Sequence, residues 1–265
     1  MQFEFERGRL IVLHQSSFSK SQDKNNILSA KEELLKKGAE ILSALRASNC
    51  DNRLLQTVEY LQKQLNKETN IITIGLSNIG CAVMSDMYQH ELPDALNGML
   101  RAHTVGVEMY VAQFPDWARF VENASAAQID SNDVAQIHRV TSQLVAQLQA
   151  KPEMVDPEVP KTFARLNELI AAPSNAAKRA AFAVLRSIEN LISKVFSYGA
   201  NLLDATANKT VEGVSSVLSK ALIVAMLTLA LDGALGITSI AAKIHEMTWL
   251  KNAVELVQKQ LQTMK

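Results

Sequence analysis

The chain has 265 residues, with 27 Lys and Arg balanced by 27 Asp and Glu, and only 5% aromatic residues. A neutral balance with sparse aromatics argues against the dense basic, base-stacking face of a nucleic-acid binder. Two cysteines, Cys50 and Cys81, stand at no metal-ligand or redox spacing, and a reducing compartment is the default.

Plentiful Ala, Leu, Gln, Lys and Glu predict an all-α protein: a multi-helix bundle in two helical regions with a small N-terminal β-hairpin. The opening Met-Gln-Phe-Glu-Phe-Glu-Arg lacks the basic region and apolar core of a signal peptide, so a cytoplasmic protein is expected, with the inner membrane as a second location. Phe3 and Phe5 alternate with Glu4 and Glu6, Arg7-Gly8 can turn, and Leu10 to Leu13 is apolar, which is the pattern of a hairpin. Gln15 to Asn26 is polar and reads as a loop. Ser29-Ala-Lys-Glu32 has capping-box spacing before a helix to about Ala47, and Asn52 can cap a second helix carrying Leu54, Val58, Leu61 and Leu65.

From Asn70 to Met87 the later positions have helical period, while the β-branched opening Asn-Ile-Ile-Thr-Ile is also compatible with a strand. A helix after Pro93 is expected to present Leu96, Met99, Leu100, His103, Val107 and Tyr110 to a core. Pro115 opens a short segment with Trp117 and Phe120, and Asp130-Ser-Asn-Asp133 caps a regular helix to Leu148. Pro152, Pro157 and Pro160 then interrupt the pattern, giving an N-terminal region 1–150, an extended connector 151–160 and a C-terminal region 161–265.

In the C-terminal region, Ser174 caps a long helix on which Lys178, Arg179, Arg186 and Lys194 ride; such a basic amphipathic helix suits either solvent or a membrane surface. From Ser174 onward, ten Lys and Arg face six Asp and Glu, a charge of about +4 that the remainder of the chain offsets. The most apolar part spans 214–244. Between Lys220 and Lys243 lie 22 residues with one charge, Asp232, and as a helix they would extend roughly 33 Å.

Three structures fit that stretch. A single transmembrane helix puts Asp232 near the midplane at a cost of about 2.5–3.5 kcal/mol, against about 0.3–0.6 returned per Leu or Ile. A hairpin turning at Asp232-Gly233 puts the carboxylate at its tip. Buried helices of a soluble bundle need no membrane at all. Beyond the stretch, Met247, Leu250, Val254, Val257 and Leu261 mark a last amphipathic helix, with Trp249 at the edge of the apolar run.

Catalytic patterns are missing. His14, His90, His103, His138 and His245 form no paired metal motif, and neither a catalytic residue, a metal nor a cofactor is expected. A hydrolase would need histidines and acids brought into one pocket, with His103 the one candidate. Gly75 to Gly80 has phosphate-loop glycine spacing, but Cys81-Ala82 replace the required Lys and Ser/Thr. The sequence therefore points to a non-enzymatic helical protein whose C-terminal apolar region engages or inserts into a membrane in the manner of an effector or pore-forming protein, regulated by its N-terminal region. Its membrane-contacting candidates are Leu222, Ile223, Val224, Leu227, Leu231, Asp232, Leu235, Ile237, Ile240 and Trp249, with Arg186, Lys194, Lys220 and Lys243 at lipid headgroups. The alternative is a soluble adaptor or oligomeric scaffold in which 221–242 is core or subunit interface, and a protein partner or homo-oligomer is expected in either case.

Overall fold

The computed structural model describes residues 2–13, 24–67, 70–171, 174–207 and 235–244, with single positions and short runs from 224 to 258. The fold is all-α with one two-stranded antiparallel hairpin. The described chain divides into two compact units, one of residues 1–13 with 126–265 and one of residues 14–125. The division does not follow the proline-rich segment, which lies inside the first of these units.

In the 14–125 unit, α1 (Lys24–Ala47), α2 (Asn52–Asn66), α3 (Ile71–Met87) and α4 (Asp94–Ala112) pack in a ring, α1 on α2, α2 on α3, α3 on α4 and α4 back on α1. Ser29 lies within α1 instead of capping it. The cap of α2 is Asp51, one residue before the expected Asn52, and its carboxylate accepts the Arg53 backbone N–H at 2.8 Å. Asn70 likewise accepts from Ile72 N, at 2.9 Å, and the stretch compatible with a strand is the first turn of α3.

Burial explains why α3 is helical despite its β-branched start. It is enclosed from Ile71 to Asn78 apart from Ile72, so nearly its whole circumference must be apolar or small. Gly75 is required there because a Cβ would run into the Trp117 indole of α5 (Pro115–Ala126).

In the other unit, α6 (Ser131–Gln149), α7 (Glu158–Ile170) and α8 (Ser174–Ala207) pack against one another. The expected cap of α6 is present and takes the form of a capping box: Asp130 accepts from Asp133 N and Asp133 accepts from Asp130 N. The hairpin, β1 (Phe3–Glu6) and β2 (Arg9–Val12), turns through Arg7 and Gly8, both at positive φ (49° and 81°), the pair of left-handed residues that a two-residue hairpin turn demands. Phe3 stacks on Phe163 and Phe5 on Tyr198, fixing β1 to α7 and α8. Leu10 exchanges backbone hydrogen bonds with Met154 and Asp156.

The proline-rich segment is therefore a structural part of this unit. Only Val155 bridges as extended chain, and α7 begins at Glu158, inside the expected connector, because Pro160 sits in the first helical turn where a missing N–H costs nothing. From Ala180 to Leu185 every position of α8 is buried, so this helix runs through the unit and does not lie basic-face-out over its length.

Candidate functional site

The apolar C-terminal segment belongs to the same unit as α6 and α8 and packs against them. Leu222, Ile223, Leu227 and Lys220 lie outside the described residues, as does Gly233 of the expected Asp232-Gly233 tip. The described turn falls later, at Gly236-Ile237, where a Cβ on Gly236 would press into Val140 of α6 and the Gln136 amide donates to the Gly236 carbonyl at 2.7 Å. A short helix, α9 (Thr238–Ala241), follows.

Exposure changes sharply across that turn. Before it, Val224, Ala225 and Leu231 are half-buried, while Thr228, Asp232 and Leu235 are exposed, Leu235 by 47%. The described positions recur at helical steps and have helical backbone, and Gln147 of α6 donates to the Asp232 carboxylate at 3.3 Å. After the turn, Ile237 and Ile240 are fully enclosed, followed by Ile244, Met247, Leu250 and Val254. Ile237 and Ile240 thus belong to the core in this structure and contact no outside surface.

Two polar clamps fix the segment beyond the turn. Lys243 donates to both carboxylate oxygens of Asp133, at 2.7 and 2.9 Å, and stands 3.5 Å from Asp130. The Asp133 hydrogen bond raises the Lys243 ammonium above its ordinary pKa, and the Asp133 backbone N–H, followed by the Lys243 charge, lowers the Asp130 carboxyl. On α8, Glu189 pairs with Arg186 at 2.6 Å and accepts the Trp249 indole N–H at 2.8 Å. Of the four expected headgroup cations, Arg186 and Lys243 are therefore committed to internal carboxylates, and Lys194 is half-buried. Asp133 and Glu189, which hold these cations, are not singled out by sequence as partners, although the three-residue spacing of Arg186 and Glu189 on one helix is a signal that could have found that pair. The 110 residues separating Lys243 from Asp133 leave no local spacing to read.

No chemistry assembles around His103. Its Nε2 lies 2.8 Å from the Gln62 amide nitrogen, which makes the ring an acceptor there and places its proton on Nδ1. Burial, with a smaller effect of the Lys37 charge, lowers this histidine to about 4, and no carboxylate contributes. Gly75 to Gly80 is interior helix, which rules out a phosphate loop, and burial pushes the Cys81 thiol up to about 12. Among the described residues no group of three or more His, Cys, Asp or Glu could hold a metal, and no helix is long and apolar enough to cross a membrane.

No family model, curated protein or solved structure matches this chain.

Proposed function

We propose that this is a non-enzymatic helical protein whose C-terminal apolar segment engages or inserts into a membrane, with α6 regulating that step. One observation carries the reading: none of the described positions of the segment before Gly236 is buried, although the segment is the most apolar in the chain. Burying a Leu side chain is worth roughly 1.5–3 kcal/mol, so leaving Leu235 and part of Leu231 in water has a cost that a second surface would remove. Asp130, Asp133, Gln136 and Gln147 all come from α6 or its cap, and they hold the adjoining residues in the conformation described. Release of Lys243 would return a cation to the end of the apolar run, where an anionic lipid surface attracts it.

A second reading, a soluble adaptor or scaffold in which the same face is a subunit interface, draws support from the enclosure of Ile237, Ile240 and Ile244. Flotation on vesicles separates the two. Under the membrane reading the protein floats with anionic vesicles and Leu235→Asp reduces the bound fraction about tenfold or more. A protein that stays with the aqueous fraction at every lipid composition, while Leu235→Asp alters its oligomeric state, would replace the first reading by the second.

A further inference from the structure

Most of the solvent side of α4 is apolar, its exposed charges being Asp94, Arg101 and Glu108. Gly98, Met99, Ala102, Val105, Met109 and Ala112 are all exposed and recur at three- and four-residue steps, which places them on one side of the helix. Val105 is 53% exposed, Met99 39% and Met109 66%. The opposite side, carrying Leu100, His103, Thr104, Val107 and Tyr110, is buried in the four-helix ring, so helix formation does not require the outer residues to be apolar. An outward face of a soluble helix ordinarily carries charge.

The charges that α4 does carry identify the occupant. Arg101 and Glu108 are both exposed, seven residues apart, and seven residues is nearly two full turns, so they line the same flank of the apolar face. Gln89 holds the Arg101 guanidinium at 2.9 Å, with Asp86 at 3.8 Å, orienting it along that flank. We propose that α4 is a homodimerisation surface on which the α4 of a second copy packs antiparallel.

In that arrangement, with the two-fold axis between Thr104 and Val105, each Arg101 falls opposite Glu108 of the other copy, giving two reciprocal ion pairs. A parallel two-fold would send this flank of the two copies to opposite edges of the contact, leaving Arg101 and Glu108 without partners across it. The antiparallel register also fits by size: Met109 reaches Ala102 of the second copy and Ala112 lies over Gly98, so each contact sets a small residue against the one opposite it. Asp94 falls past the end of the opposing α4. An isologous contact of this kind closes on itself and forms a dimer without propagating.

Sedimentation velocity on the full chain over the micromolar range tests the proposal. The wild type is expected to show a concentration-dependent dimer. Arg101→Glu and Glu108→Arg alone each place like charges at both pairing positions and should weaken it about tenfold or more. Mixed in equal amounts, these two variants recover two attractive pairs and should associate as tightly as wild type, as should the double variant. Val105→Glu and Met109→Lys, both at exposed positions where folding tolerates charge, should abolish the dimer, with melting curves confirming the monomer fold. A wild type that stays monomeric, a mixture no tighter than its components, or a dimer untouched by Val105→Glu would overturn the assignment. Leu235→Asp should leave this dimer intact, which keeps the result separate from the membrane reading.

Discussion

Acidification should destabilise the protein through His103, and the size of the effect follows from its surroundings. The ring is 2% exposed, receives a hydrogen bond on Nε2 and leaves Nδ1 without a partner, so protonation would place an unpaired cation in the core beside Gln62 and near Lys37. An ordinary histidine titrates near 6.5, and here burial lowers the value to about 4. The folded pKa is below the unfolded one, so the unfolded chain binds the proton first. The stability associated with the neutral ring is complete above pH 6.5 and is lost as pH falls through about 4. Linkage at about 1.4 kcal/mol per unit gives a total of about 3.5 kcal/mol, of which about 2.5 kcal/mol should be gone at pH 4.5. Urea unfolding of wild type and His103→Gln at pH 7 and pH 4.5 isolates this contribution, because carboxylates titrate equally in both proteins. The variant should lose about 2.5 kcal/mol less than wild type on acidification. Equal losses would refute the assignment of a buried neutral imidazole.

Two further substitutions probe the packing. Asp133→Ala removes an acceptor for both Lys243 and the Asp130 backbone N–H and should cost about 1.5–3 kcal/mol in denaturant unfolding, more than Lys243→Met, which keeps the capping box. Because Asp130 is lowered and Lys243 raised, the contribution of this clamp should hold at neutral pH. The Asp130 part fades as pH falls below the ordinary carboxylate range, and the Lys243 part as pH rises past the ordinary lysine value. Gly75→Ala should lower thermal stability by about 1–3 kcal/mol through contact with the Trp117 ring, and Gly75→Ala with Trp117→Leu should recover part of that loss.

Most local signals were legible where a short segment settles the outcome alone, although the capping-box spacing at Ser29 falls inside α1. The Arg7-Gly8 turn, the Asp130 box and the helical period of Val134 to Leu148 are found as expected, since each depends on neighbours within four residues. The first turn of α3 was ambiguous because β-branched residues suit a strand in isolation, and enclosure by α2, α4 and Trp117 decides for helix. Three prolines suggested a boundary, yet the hydrogen bonds that draw residues 154–156 into the fold come from Leu10, about 145 positions earlier. The same limit applies to the site. Arg186 and Lys243 are conspicuous as cations on apolar segments; the acid that neutralises Lys243 is set by tertiary packing, whereas Glu189 stands only three residues from Arg186 on the same helix. Met99 matched the period of a core residue, but a helix with small residues on two sides does not reveal by periodicity which side faces in.

The placement of β1 and β2 bears on the order in which the chain acquires structure during synthesis. The first thirteen residues find their aromatic and backbone partners on Val155, Phe163 and Tyr198, whereas the ring of α1 to α4 uses residues that emerge in between. On a ribosome the intervening ring can close while the leading strands still wait, unpaired, for the rest of their unit to be translated. Slow codons after residue 130 would therefore lengthen the exposure of Phe3 and Phe5 without affecting the ring.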